Sequence, residues 1–97
     1  MVTAIARVEF TLEGCRSLKD KRQIVRRLIE RARARFQISV AEVEDQDLWN
    51  RTVLGLAYVS AGGGHAREVM DKAVQWLGTA SAEAEMVDAQ IELVEPV

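Results

Sequence analysis

The stretch VTAIARVEFTLEGCRSLKDKRQIV, residues 2–25, changes its hydrophobic period partway through, and that change decides the fold. From Val2 to Leu12 the period is two. Ala4, Ala6, Val8, Phe10 and Leu12 fall on one side, and Thr3, Arg7, Glu9 and Thr11 on the other. That alternation predicts a strand with one buried face. Glu13-Gly14-Cys15-Arg16 forms the turn. Ser17, three residues before Asp20, resembles a capping box, with the hydroxyl serving an orphan helix N–H and the carboxylate reaching back. Leu18, Val25, Leu28, Ile29, Ala32 and Phe36 then recur at helical spacing as one apolar stripe.

Further along the chain, Ile38 to Glu44 is rich in β-branched residues and predicts a second strand, Asp45-Gln46-Asp47 a turn, and Arg51 to Ser60 a third strand. That third strand has no clearly polar face, which suits a central position, with Gly55 allowing a helix to approach. Gly62-Gly63-Gly64 breaks it. A second amphipathic helix turns Ala66, Val69, Met70, Ala73 and Leu77 inward, with Gly78 as its C′ residue. The last strand, from about Glu83 to Val94, alternates Val87, Ala89, Ile91 and Leu93 against Asp88, Gln90 and Glu92. The order βαββαβ predicts one α+β domain over residues 1–97 of the ferredoxin-like plan, a four-stranded antiparallel sheet with two helices on one face.

The 97 residues suffice for one core, and a single proline with no low-complexity stretch argues against disorder. No apolar run approaches the ~20 residues of a membrane span. Arg7 and Glu9 interrupt any signal-peptide core, and the lone Cys15 has no internal disulfide partner. A cytoplasmic setting with no membrane partner is the expectation. The net charge of −2 hides a strong segregation. Residues 16–35 hold nine bases and two acids, +7, while the rest of the chain holds four bases and thirteen acids, −9.

LKDKR at 18–22, opening the basic helix, and VAEVEDQDLWNRTVLG at 40–55 resemble the YlxP-like family, a small bacterial domain of unknown function. The likeness covers nearly the whole chain and departs at the glycine triplet, where a more polar turn is expected. It implies a ferredoxin-like fold and, from genes neighbouring transcription and translation factors, a role near RNA or the ribosome.

Among the candidate sites, Lys19, Arg22, Arg26 and Arg33 share a helix sector of about 60°, with Arg27, Arg31 and Arg35 on another flank. Arginine's planar fork matches phosphate, so RNA or the small ribosomal subunit is the expected partner, through backbone contacts. The bland alternative is a solvated face in which Glu30 screens Arg26 and Arg33. An aromatic base-reading platform on the sheet is not expected, since Tyr58 stands alone there. With Val53, Gly55, Ala57 and Val59 toward the helices, Leu54, Leu56 and Tyr58 would face the bare side and support a homodimer or a protein adaptor. Trp49 is either a docking anchor or a lid on the core edge. Gly62-Gly63-Gly64-His65 lacks the residues of a Walker loop, and one histidine cannot make a two-histidine metal site. Glu42, Glu44, Asp45 and Asp47 read as a solvated acidic cluster, and Cys15 as an incidental thiol whose place near a helix start could lower its pKa. Acylphosphatases share this fold; Gly14, Arg16 and Asn50 offer pieces of their site without its full loop spacing. The expectation is a non-enzymatic binding protein with no cofactor or small-molecule substrate.

Overall fold

A computed structural model describes residues 1–96 and contains β1 (Val2–Thr11), α1 (Leu18–Phe36), β2 (Ser39–Glu44), β3 (Arg51–Ser60), α2 (Gly63–Leu77) and β4 (Glu85–Val94). The strands form one antiparallel sheet in the order β2-β3-β1-β4, and both helices cover one face. This is the ferredoxin-like α+β plan. β1 and β3 are central, while β2 and β4 are the edges.

The period-two pattern of β1 sets the layer. Ala4, Val8 and Phe10 are fully buried beneath the helices, with Ile24, Val25, Leu28 and Ala32 of α1 and Ala66, Met70, Ala73 and Leu77 of α2 above them. α2 packs on β1, β3 and β4 through small residues at Ala66 and Ala73, opposite a sheet that is itself small at Ala4 and Ala6, so the backbones approach closely. α1 begins at Ser17, whose hydroxyl accepts from the Asp20 N–H at 3.1 Å; Asp20 reaches back to the Arg16 N–H at 3.3 Å. The expected box is therefore present, one residue longer on its return arm.

The face assigned to β3 from sequence is reversed. Val8 lies opposite Leu54, Ala6 opposite Leu56 and Ala4 opposite Tyr58, and directly opposed residues of an antiparallel pair share a face. Leu54 is 0% exposed and Leu56 3%, both in the core, and Tyr58 is half-buried against it. The reversed parity would have exposed both leucines, at about 1.5–3 kcal/mol each. The bare face of β3 is instead Arg51, Val53, Gly55, Ala57 and Val59. Val53 is buried even there, between its strand partners Glu9 and Glu44. Gly55 makes room for a strand side chain and not for a helix. A Cβ at position 55 would sit 2.8 Å from Val43 Cγ1, where β2 shifts register between Glu42 and Glu44. Gly78 has φ −63, so α2 does not end on a left-handed glycine; the left-handed cap is Gln37, which closes α1 at φ 52. β4 begins at Glu85 and shifts register opposite Glu9/Phe10, which leaves Val87 exposed.

Candidate nucleic-acid interface

The apolar stripe of α1 turns its other sides outward, and those sides carry the arginines. Lys19, Arg22 and Arg26 are exposed, and none has a hydrogen-bond or ion-pair partner among the described residues. Arg22, Arg26 and Arg33 line a groove of about 420 Å³ against β2, with Val25, Ile29, Glu30, Ala41 and Glu42 as its other walls. Arg33 is tied down there, donating from Nη2 to the Val40 carbonyl at 2.6 Å. Glu30 forms no ion pair with Arg26 or Arg33 among the described residues, so the expected screening by short-range pairs is not made.

The other flank meets the α2–β4 connection. Arg27 pairs with Glu83 at 3.3 Å, with both side chains more than half exposed, a geometry worth little in water. Arg31 donates to the Ala80 carbonyl at 3.0 Å, and its guanidinium lies 5.1 Å from the centre of the Trp76 ring. Arg35 contacts two rings, Phe36 at 5.7 Å and Trp76 at 5.8 Å. The seven predicted cations thus divide. Three stand free, three are held by uncharged groups, and one is paired with a carboxylate. Because carbonyls and rings leave a guanidinium's positive charge in place, the helix surface stays cationic.

Lys21 leaves that surface altogether. Its side chain is 1% exposed, and Nζ lies 2.9 Å from Glu42 Oε2 and donates to the Asp45 carbonyl. Glu42 also accepts from the Thr52 hydroxyl at 2.6 Å, and Thr52 is fully buried. This lysine therefore bolts α1 to the β2–β3 hairpin. The supposed acidic cluster is dismantled in the same way. Glu42 serves Lys21, Glu44 binds Arg7 at 2.7 Å, and Asp45 sits 3.8 Å from Arg51, which also bonds Glu9. The Arg7 guanidinium holds the Glu44 carboxyl below its ordinary pKa. No group of three metal-ligating side chains occurs among the described residues.

Trp49 is 46% exposed beside exposed Leu48 at the hairpin tip, so it is not a lid on the core. Cys15 is buried, and burial pushes its thiol pKa up, with Asp20 and Glu83 adding to the effect. The activated thiol considered from sequence is thereby corrected. The Gly62 N-cap has no side-chain cap, and His65 Nε2 lies 3.1 Å from the Tyr58 hydroxyl. Asn50 does abut the loop after β1, its carbonyl accepting from the Leu12 N–H at 2.9 Å. The cavity beside that loop is lined by Glu13, Asp20, Glu83 and Glu85 against Arg27 alone, a setting that repels phosphate. Sequence reading passed over Trp76, which lies at the margin of the α2 stripe. Its ring meets Phe36 edge-on, with centres 5.8 Å apart. The signal was available in the spacing of Ala73, Trp76 and Leu77.

A family model described as "Protein of unknown function (DUF503)" matches residues 3–91, and the chain belongs to that family. Over 56 residues the chain is 38% identical to the "Uncharacterized protein YlxP" of Bacillus subtilis (strain 168). The match covers 58% of this chain and spans about three fifths, 61%, of that relative's length.

Proposed function

We propose that this DUF503 protein binds structured RNA, in isolation or within the small ribosomal subunit, by laying α1 along the phosphate backbone. One observation carries the reading. Lys19, Arg22 and Arg26 stand exposed and unpartnered among the described residues, and Arg27 is the one arginine of α1 paired with a carboxylate there. From Lys19 to Arg33 the helix rises about 21 Å at ~1.5 Å per residue, long enough to meet several phosphates of one groove edge. Such contacts position a protein on RNA with little sequence readout. The domain acts as a binder and not as a catalyst.

Charge reversal tests this without disturbing the fold, because the three side chains are exposed and make no hydrogen bond or ion pair among the described residues. The triple variant Lys19→Glu, Arg22→Glu, Arg26→Glu should keep its melting temperature and lose RNA affinity in an anisotropy titration. Unchanged affinity would refute the proposal.

A second reading rests on the exposed Leu48 and Trp49 of the hairpin tip and on Ile5 and Val59 of the bare sheet face, 38% and 60% exposed. It makes the protein a homodimeric adaptor for another protein. The interface moves from Leu54 and Leu56 to these residues, with the Arg7–Glu44 and Arg51–Glu9 pairs filling the other half of the face. Sedimentation of a lysate through sucrose separates the two. A ribonuclease-resistant complex, abolished by Trp49→Ala, favours the adaptor.

A further inference from the structure

We infer that Trp76, Phe36, Arg31 and Arg35 form a stacking site for an unpaired nucleobase, so that the RNA taken by α1 carries a single-stranded or looped segment at the helix's C-terminal end. The inference rests on the proposed RNA reading and specifies its ligand. Four observations converge on one spot. Phe36 closes α1 and Trp76 lies in the last turn of α2, and their rings meet edge-on at 66°. Both rings are half-buried, so each is fixed by the core on one side and open on another. The Trp76 indole N–H bonds to no described residue. Yet no buried side-chain nitrogen or oxygen lacks a partner, so this N–H edge reaches solvent. Finally, two exposed guanidiniums cover the ring, at 5.1 and 5.8 Å, and Arg35 bonds to nothing beyond these rings among the described residues.

The arginines act as a removable cover. A base stacked on an aromatic ring is held more strongly than an exposed cation–π contact, so an incoming base displaces them from the indole. Once displaced, they lie beside the phosphates that flank that base, on the flank of α1 that also carries Arg27. A packing role alone would call for one apolar contact between the helix ends. It does not call for two arginines drawn to a ring whose polar edge faces water. The sheet platform of other RNA binders is absent here, since the bare face carries Arg7, Glu9, Glu44 and Arg51 in ion pairs. The one place among the described residues where arginines lie over an aromatic ring is this corner.

The test uses the full chain with Trp49→Phe, which leaves Trp76 as its one indole. Its fluorescence is titrated with two oligonucleotides of equal phosphate number, a blunt RNA duplex and a hairpin with an unpaired purine-rich loop. The proposal expects quenching by the looped RNA alone and a tighter Kd for it by roughly 5- to 150-fold. Trp76→Leu should erase that preference while retaining duplex affinity and its salt dependence, and Trp76→Phe should restore part of it. If Trp76→Leu fails to fold, the quenching decides alone. Salt-dependent binding of both RNAs without quenching overturns the stacking site and leaves the helix reading intact. Failure of both RNAs to bind overturns the two together.

Discussion

Replacing Lys21 by methionine removes the bolt between α1 and the hairpin while keeping the buried stem. The ammonium is 1% exposed, 2.9 Å from Glu42, and bonded to the Asp45 carbonyl. Taking one member from a fully buried pair costs about 3–5 kcal/mol, because the other charge is stranded. Glu42 is one fifth exposed and keeps its 2.6 Å bond from Thr52, so the expected cost lies lower, about 2–3 kcal/mol. For a chain of this size each kcal/mol moves Tm by about 4–8 °C, giving a fall of roughly 8–24 °C. Denaturant unfolding and calorimetry measure it. The second half of the cycle isolates the cause. Glu42→Gln keeps an acceptor for Thr52 and removes the stranded charge, so Lys21→Met with Glu42→Gln should be more stable than Lys21→Met alone, with a coupling above about 1 kcal/mol. A Lys21→Met loss under about 0.5 kcal/mol, or costs that simply add, would refute the bolt.

Gly55→Ala should cost about 1–2 kcal/mol, because its Cβ would meet Val43 Cγ1 at 2.8 Å, and Val43→Ala in the same chain should recover most of it. No recovery would mean that the glycine serves its backbone alone. Arg33→Ala should lower stability by about 1 kcal/mol through the lost Val40 carbonyl bond, and should weaken RNA binding less than Arg26→Ala does. The raised pKa of Cys15 has a definite sign. Above the ordinary thiol pKa the unfolded chain gives up its proton first, so stability falls as the solution becomes more alkaline, and Cys15→Ala should flatten that fall. Native Cys15 should also react with alkylating reagents only as fast as the protein opens, and rapid native labelling would contradict its burial.

The element order was legible because β1, α1 and α2 keep clean periods and because β2 and β3 are β-branched or apolar runs bounded by turn residues. Val2–Thr11 alternates, the α1 and α2 stripes hold helical spacing, and the turns carry their own residues. The face of β3 was not, because Val53, Leu54, Leu56 and Val59 are apolar on both parities. Only pairing with β1 chooses between them, and one residue of register reverses every side chain. The burial of Lys21 was hidden for a related reason. A lysine inside a basic run reads as solvated until the hairpin supplies Glu42 and the Asp45 carbonyl from more than twenty residues away. The cationic helix was visible from charge counting alone. How its arginines divide between free side chains, carbonyls and rings depended on which loops and helices came to lie beside each flank.

If α1 lies along RNA phosphates, the affinity must weaken with salt in proportion to the number of phosphates it neutralises. For four to six phosphates, log Kd plotted against log salt should have a slope of magnitude about 3–5, weakening as salt rises. In the Lys19→Glu, Arg22→Glu, Arg26→Glu variant that slope should fall by about 2–3. Salt-independent binding in the unaltered protein, or equal slopes in the two, would contradict the account.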